Sequence, residues 1–171
     1  NDPRCAGVWT APGRRRAGDG GDAPQARHLG YKTGIIDRTA GERATRGTVE
    51  TRTQEAEEAA RILNAVVRET LDLGDGRLDV AWSAKLAVAD VLRRYRPSLV
   101  FTNYPENNHP DHTAAGVLIA EAAYLSGLRK LEIQGKPHRP HRVMYYFVPH
   151  KMTPSFVVDV SDFHNNQMRA I

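Results

Sequence analysis

The stretch RPSLVFTNYPENNHPDHTAAGVLIAEAAYLS, residues 96–126, decides the fold of this 171-residue chain. After Pro97, which stops a preceding helix, comes the compact apolar run Leu99–Phe101. A polar loop over 103–112 follows, and then a helix is predicted from about Thr113 to Ser126. A short apolar run between turn residues and followed by a helix is typical of a buried strand in an α/β protein.

The same alternation of strand and helix extends outward in both directions. The pattern predicts strands at Tyr31–Asp37, Val143–Val148 and Phe156–Val160, and helices at Thr48–Asn64, Ser83–Tyr95 and from Ser161 onward. A short apolar run, Val66–Val67, precedes a turn. We therefore expect an α/β fold, a Rossmann-like three-layer arrangement with a mostly parallel sheet and helices on both faces. Such sheets place ligands beyond the carboxyl ends of their strands, so the polar ends after Ile36, Leu71 and Phe101 should share one edge.

Composition narrows the classes of function. A hydrophobic fraction of 40% and a charged fraction of 26% suit one globular domain. No apolar run is long enough for a membrane span, and the single Cys5 excludes an internal disulfide and fits a reducing cytoplasm. The net charge of +4 owes much to the run Arg14–Arg16, and no nucleic-acid-binding module is recognisable. We expect neither a membrane nor a nucleic acid as partner.

The sharpest chemical signal is His109-Pro110-Asp111-His112, directly after the strand and before the helix. One imidazole of such a pair can bind a metal, and the other can be an electrostatic partner held by the carboxylate. The alternative is a loop of helix-capping residues without chemistry. Two histidines do not complete a catalytic zinc site, which normally has three protein ligands and a water.

Three further segments carry a resemblance to a known family. Residues 39–63, TAGERATRGTVETRTQEAEEAARIL, resemble the pattern T-x-G-E … R-G-T-x-E-x-R-x-x-E-x-x-x-A-x-x-L of LmbE/PIG-L-like N-deacetylases, and HPDH after Arg96-Pro97 and a strand resembles their second signature. Residues 126–130, SGLRK, and 30–37, GYKTGIID, are similar to the bacillithiol-biosynthesis branch in particular. The resemblance covers about residues 28–171.

This resemblance implies a cytoplasmic zinc hydrolase that removes the acetyl group from an N-acetylglucosamine conjugate, here N-acetylglucosaminyl-malate. By position, His112 is similar to a Zn²⁺ ligand of the family. His109 is similar to the residue that stabilises the oxyanion or protonates the leaving amine, and Asp111 to the residue that orients it. The family also implies a possible homo-oligomer.

Substrate contacts are implied at three more positions. Arg52 is similar to a substrate-binding residue, which suits malate because a guanidinium pairs bidentately with a carboxylate. On its own, Arg52 is better explained as a solvated helix charge paired with Glu55. Glu42 and Asp75 lie at loop ends where sugar hydroxyls could be held, and their alternative role is turn formation.

The family's first signature, HPDD, supplies two zinc ligands and the general base, and it is missing near the N-terminus. One choice of synonymous codons for residues 3–23, read one nucleotide later, gives LDVLAFGPHPDDAELAMAGTL, a strand followed by HPDD. We therefore divide the chain into residues 1–27, an out-of-frame or disordered segment, and residues 28–171, a deacetylase domain truncated at the C-terminus. Asp19, Asp22 and His28 could substitute as ligands, but no rigid strand is expected to hold them.

Several expectations follow for the chain as printed. Its zinc binding and deacetylase activity should be impaired, and loss of the first strand should expose sheet edges. The main alternative is a metal-free pseudoenzyme that binds a sugar or a partner subunit. The hypothesis of a nucleic-acid binder rests on charge alone, and it predicts a binding affinity that depends steeply on salt concentration.

Overall fold

Five parallel strands form one sheet at the centre of the molecule. The computed structural model describes residues 5–9, 26, 28–41, 43, 48–146 and 152–170. The strands are β1 (Cys5–Trp9), β2 (Lys32–Asp37), β3 (Val67–Thr70), β4 (Leu99–Asn103) and β5 (Arg142–Tyr146), in the order β3-β2-β1-β4-β5. Every pairing between neighbours is parallel. This confirms an α/β fold with a parallel sheet.

Four helices accompany these strands in the described residues: α1 (Val49–Ile62), α2 (Trp82–Tyr95), α3 (Pro110–Leu125) and α4 (His164–Arg169), which follows a 3-10 turn at Ser161–Phe163. Thr48 caps α1 as predicted, because its side chain accepts a hydrogen bond from the Thr51 backbone N–H. Arg96 ends α2 in a left-handed conformation, with Pro97 directly after it. No helix of the described part is both long and apolar enough to cross a membrane.

Alternating side chains of the strands divide the core between the two faces of the sheet. Val100 packs with α2 and α3 in the largest cluster of buried residues. The next residue, Phe101, and Ile35 of β2 pack instead with Ala60 and Leu63 at the end of α1. Successive side chains of a strand point to opposite faces, so these two clusters lie on opposite sides of the sheet.

The N-terminal residues correct one expectation. The first strand is not lost: Cys5–Trp9 forms β1, which lies between β2 and β4. β1 forms because β2 and β4 both offer backbone hydrogen-bonding groups to the chain between them. A strand that is stabilised by its neighbours need not show a strand pattern in its own sequence. β1 coincides with the position that the shifted reading frame gives to the family's first strand. Asp19 and Asp22 lie outside the described residues.

The structure also differs from the prediction at a strand that does not form and at the start of α3. No strand forms at 156–160, where the segment is exposed and Val157 keeps 84% of its surface accessible. Apolar, β-branched residues make a strand only where a neighbouring strand satisfies their backbone groups. Helix α3 begins at Pro110 rather than Thr113, because His109 is the N-cap and proline fits the first helical position.

A partly buried ion pair links β2 to β3 and α1. The Arg68 Nε donates to Asp37 Oδ2 over 2.7 Å, and its Nη1 donates to the Ala56 carbonyl, also over 2.7 Å. Burial raises the pKa of Asp37, while the charge and hydrogen bond of Arg68 and the charge of Arg38 oppose this rise. The charged form of the Asp37 carboxyl group is therefore stabilised mainly by Arg68.

Replacing Arg68 with glutamine should destabilise the fold by about 2 kcal/mol at pH 7, because a buried carboxylate loses its partner. Without Arg68 the pKa of Asp37 rises further, so the folded variant binds a proton where the unfolded chain does not. Its stability therefore falls as pH rises between the unfolded and folded pKa values, and the deficit should shrink at about pH 4.5. Urea unfolding at both pH values measures this, with Arg61→Gln, an exposed pair with Glu58, as control. An equal deficit at both pH values would contradict it.

Candidate active site at the carboxyl edge of the sheet

The loops that follow β2 and β3 meet at one edge of the sheet. The Leu71 backbone N–H donates to the Asp37 carbonyl over 2.7 Å, and the Leu73 N–H donates to the Arg38 carbonyl over 3.1 Å. Strand β4 runs parallel to them and ends at Asn103 on the same side. The prediction that the polar ends of these strands share an edge is confirmed.

His109 and His112 lie together at the start of α3. Their rings stack with centroids 4.8 Å apart and planes 25° apart. The Asp111 backbone N–H donates to His109 Nδ1 over 3.2 Å. A nitrogen that accepts a hydrogen bond carries no proton, so this contact places the proton of a neutral His109 on Nε2. His109 is exposed and can present that N–H to a ligand.

Asp111 links the HPDH loop to the turn after β3. Its Oδ2 accepts from the Gly76 N–H over 2.8 Å, and its Oδ1 accepts from the Leu78 N–H over 3.3 Å. Its contact with His109 runs through the backbone N–H rather than the carboxylate. The carboxylate therefore holds the loop and the turn at a fixed distance, and any effect of Asp111 on His109 in this geometry passes through the main chain.

Asp75 connects that turn to the loop after β2. Its Oδ2 accepts from the Arg43 backbone N–H over 2.8 Å. This contact links the two loops and places Asp75 beside the segment that follows β2. Glu42 lies outside the described residues.

Arg52 points from α1 toward the loop after β2. A Cβ added at Gly41 would lie 3.1 Å from Arg52 Nη1 and 3.3 Å from its Cδ, and Gly41 has a positive φ of 74°. The positive φ favours glycine there, and any side chain at this position would also push the Arg52 guanidinium aside by a few tenths of an ångström. Arg52 thus stands on the β2 side of the edge, whereas His109 and His112 stand at the start of α3, beyond β4.

Comparison with known proteins places this arrangement in a family. The family model described as GlcNAc-PI de-N-acetylase (PIG-L) matches residues 18–123. The diacetylchitobiose deacetylase of Thermococcus kodakarensis is 33% identical over 128 residues, which are 70% of this chain and 47% of that protein. The chain belongs to the PIG-L family.

Two solved structures share the fold of this chain. The conserved protein TT1542 from Thermus thermophilus is 39% identical with a TM-score of 0.91, and the match covers 97% of this chain and 76% of the other. The N,N'-diacetylchitobiose deacetylase from Pyrococcus horikoshii, complexed with its inhibitor MPG, shares the fold at 24% identity, with a TM-score of 0.81 and coverage of 97% and 68%. The PIG-L chain spans about half the length of the curated relative it matches.

The described residues of this PIG-L chain do not fit a zinc ion by themselves. No group of three His, Cys, Asp or Glu side chains among them could hold a metal. His109 turns Nδ1 toward a backbone N–H, and both oxygens of Asp111 accept backbone hydrogen bonds. A catalytic zinc normally takes three protein ligands and leaves one position for water. The HPDH loop offers at most one arm of such a site.

Two residues at the edge were missed by the sequence reasoning. Arg38 follows β2 and is 4% exposed, and its Nη1 donates to Oδ1 of the fully buried Asn103 over 3.3 Å. Their position in the sequence could have identified them, since each residue stands at the carboxyl end of a predicted strand. Gly116 of α3 lies against the same loop, and a Cβ there would come within 2.6 Å of the Asn103 carbonyl oxygen.

Proposed function

We propose that the complete protein is an N-deacetylase that acts on an N-acetylglucosamine conjugate, with N-acetylglucosaminyl-malate as its substrate and Zn²⁺ as its cofactor. Membership of the PIG-L family supports the reaction class. The single structural observation that carries the proposal is the HPDH loop, fixed by Asp111 at the edge where three strand-end loops meet. The three-layer, Rossmann-like arrangement, the cytoplasmic location and a homo-oligomeric state belong to the same proposal.

The reaction adds water to the acetyl carbonyl, breaks the amide C–N bond and releases acetate and a free amine. His109 is the residue we assign to the carbonyl oxygen, because its Nε2–H is the donor left after Nδ1 accepts from the Asp111 N–H. A donor aimed at a developing oxyanion is worth about 3 kcal/mol in comparable sites. To protonate the departing amine, the same imidazole would also need a proton on Nδ1, and it would then have to give up the hydrogen bond from the Asp111 N–H.

Arg52 is the residue we assign to the substrate's carboxylate. Its guanidinium lies over Gly41 at the loop after β2, and this planar group recognises carboxylates through two parallel hydrogen bonds. The resemblance of residues 30–37 and 126–130 to the bacillithiol branch supports malate as the bearer of that carboxylate. Glu42 and Asp75 are proposed to contact sugar hydroxyls, and His112 is proposed as the zinc ligand of the HPDH arm.

The printed chain should release no measurable acetate and should carry less than one zinc per chain, because the ligands and base of the HPDD motif are absent. A matched variant with residues 3–23 replaced by LDVLAFGPHPDDAELAMAGTL should bind one zinc. It should release acetate from N-acetylglucosaminyl-malate faster than from N-acetylglucosamine or diacetylchitobiose.

Metal analysis and an acetate assay on both proteins test this proposal. Stoichiometric zinc with acetate release from the printed chain would overturn the incomplete site. A variant that binds zinc but deacetylates none of the three compounds would overturn the proposed reaction. Equal rates on all three would remove malate from the proposal.

A second candidate is a metal-free protein that binds a sugar or a partner subunit without chemistry. The observation that favours it for this chain is the lack of a three-ligand group in its described residues. It predicts binding of N-acetylglucosamine that a metal chelator does not weaken.

A further inference from the structure

The connection between α3 and β5 concentrates positive charge. Residues 126–142, the basic loop, contain the single carboxylate Glu132 and five basic side chains: Arg129, Lys130, Lys136, Arg139 and Arg142. The His141 N–H donates to the Ser98 carbonyl over 2.8 Å, and Arg142 pairs with Leu99 at the start of β4. The basic loop therefore returns to the sheet at its amino edge, opposite the HPDH loop.

The cations of the basic loop face solvent without carboxylate partners. All five are exposed, and so is Arg96, whose Nη1 donates to the Lys136 carbonyl over 3.3 Å. Within the described part of the chain, none of these six side chains forms an ion pair. Exposed arginines elsewhere, such as Arg61 and Arg94, do have carboxylate partners. Uncompensated charge of one sign creates a potential that attracts a partner of the opposite sign.

Contacts join these charges into one surface. The Arg139 guanidinium lies over the ring of Tyr124, 4.9 Å from its centroid. Next to Arg139, the His138 Nε2 lies 2.8 Å from the carbonyl oxygen of Pro97, the residue after Arg96. Burial lowers the pKa of His138 and the charge of Arg96 adds to this, while the hydrogen bond to Pro97 opposes it. Tyr124, Arg139 and Arg96 are therefore parts of the same surface.

The backbone of the basic loop is held from within. The buried Arg93 guanidinium donates to the carbonyls of Ser126 over 3.0 Å, Leu128 over 2.6 Å and Ile133 over 3.0 Å. The His138 N–H also donates to the Ser126 carbonyl over 3.0 Å. A surface with a fixed backbone loses little conformational entropy when a partner binds.

The residue types of this surface favour a protein partner. Arginine and tyrosine are enriched in protein–protein interfaces, and a guanidinium pairs with a carboxylate through two parallel hydrogen bonds. A nucleic acid is less well matched, because Arg139 covers one face of Tyr124 and leaves at most the other to stack on a base. A membrane is also less well matched. Every residue of the basic loop is described, and Leu128 is its only exposed large apolar side chain.

We propose that the basic loop, with Arg96 and Tyr124, is a docking surface for an acidic segment of a partner protein. Carboxylates of the segment pair with Arg96 and Arg139, and an apolar side chain of the segment packs on Tyr124 and Leu128. This surface goes beyond the proposed deacetylation, because it lies at the opposite edge of the sheet and requires neither zinc nor turnover.

The test is fluorescence anisotropy of a labelled peptide, EELEELEE, titrated with the full chain at low ionic strength. The peptide QQLQQLQQ is the matched control. The acidic peptide should bind saturably, and the glutamine peptide should not bind. The double variant Arg96→Gln/Arg139→Gln should weaken binding at least about tenfold, or about 1.4 kcal/mol. Arg61→Gln/Arg94→Gln removes two charges that already have carboxylate partners, so it should bind the peptide as the parent does.

NMR of the ¹⁵N-labelled chain locates the peptide even if a variant fails to fold. Amide signals of residues 126–142 should shift on binding, and those of residues 109–112 should not. The reverse pattern would place the peptide at the wrong edge of the sheet and contradict the proposal.

Four further outcomes would overturn the proposed partner. Absence of binding, or equal binding of both peptides, would show that the surface does not recognise carboxylates. Equal weakening by the two double variants would show that net charge alone attracts the peptide. Tighter binding of an oligothymidylate of the same length, or of phosphatidylserine vesicles, would favour a nucleic acid or a membrane. Self-association that Arg96→Gln/Arg139→Gln abolishes would replace the partner protein with a second copy of this chain. No arm uses deacetylase activity, so failure here leaves the proposed reaction untouched.

Discussion

Replacing Arg93 with alanine is expected to lower the free energy of unfolding by about 4 kcal/mol, a large share of the stability of an ordinary domain. Arg93 lies near the end of α2 and is only 4% exposed. Its guanidinium donates to the backbone carbonyls of five residues between the end of α3 and β5, at distances from 2.6 to 3.4 Å: Ser126, Leu128, Leu131, Ile133 and Gly135. One side chain thus organises the whole segment.

The size of the effect follows from the type of hydrogen bond. Bonds to a charged donor contribute about 1.5–3 kcal/mol each, and carbonyls that lose a buried donor keep their desolvation cost. In the variant, water can hydrate the loop carbonyls and recover part of this cost. The expected loss in the free energy of unfolding is therefore smaller than the sum over the individual hydrogen bonds. Arg93→Lys should recover less than half of the lost stability. A lysine ammonium is a compact group and cannot donate to all the carbonyls that the planar guanidinium reaches.

Arg94→Ala is the matched control in the next position. Arg94 is about half exposed and pairs with Glu69 and Asp90 at the surface, so its loss should cost about 1 kcal/mol or less. Urea unfolding followed by circular dichroism compares the three variants with the parent. Similar losses for Arg93→Ala and Arg94→Ala would show that the carbonyl contacts do not stabilise the fold.

Gly116→Val is expected to cost about 3 kcal/mol and to displace the HPDH loop. A Cβ at Gly116 would lie 2.6 Å from the Asn103 carbonyl oxygen and 3.0 Å from Pro105 Cα. Both are backbone contacts, so either α3 or the loop must move. Because the same loop carries His109, the shift should change the NMR signals of both histidine rings as well as the stability.

Ala120→Val is the control for this substitution. It adds a β-branched side chain one turn further along α3, at a position that is only partly buried. It should cost only a few tenths of a kcal/mol through helix propensity and leave the histidine signals in place. Unchanged histidine signals in Gly116→Val would contradict the close packing of α3 on the loop.

Local sequence signals predicted the ends of two helices well. Thr48 supplies a capping hydroxyl and Pro97 stops a helix, and both roles follow from the residue type alone. The shared edge followed from topology, since parallel strands end on one side. By contrast, β1 and the segment 156–160 depend on which strand lies next to them, and that information is distributed along the chain.

The site was predictable only in part, for a related reason. The HPDH loop is contiguous, so its residues stand out together. Arg93 looks like one of two basic residues in the last turn of a helix, although it stands one turn after the buried Ala89. Asn103 looks like a loop residue, and only its pairing with Arg38, distant in sequence, gives it a chemical character.

The central position of β1 also governs how the chain can fold while it is being made. Val8 pairs with Val100, so one side of β1 has no partner until β4 is translated much later. At ordinary rates of translation that delay is roughly 5–20 s, far longer than the time in which helices and short loops form. Until then the half-built sheet offers one open side to other nascent chains, a period in which a chaperone would be most useful.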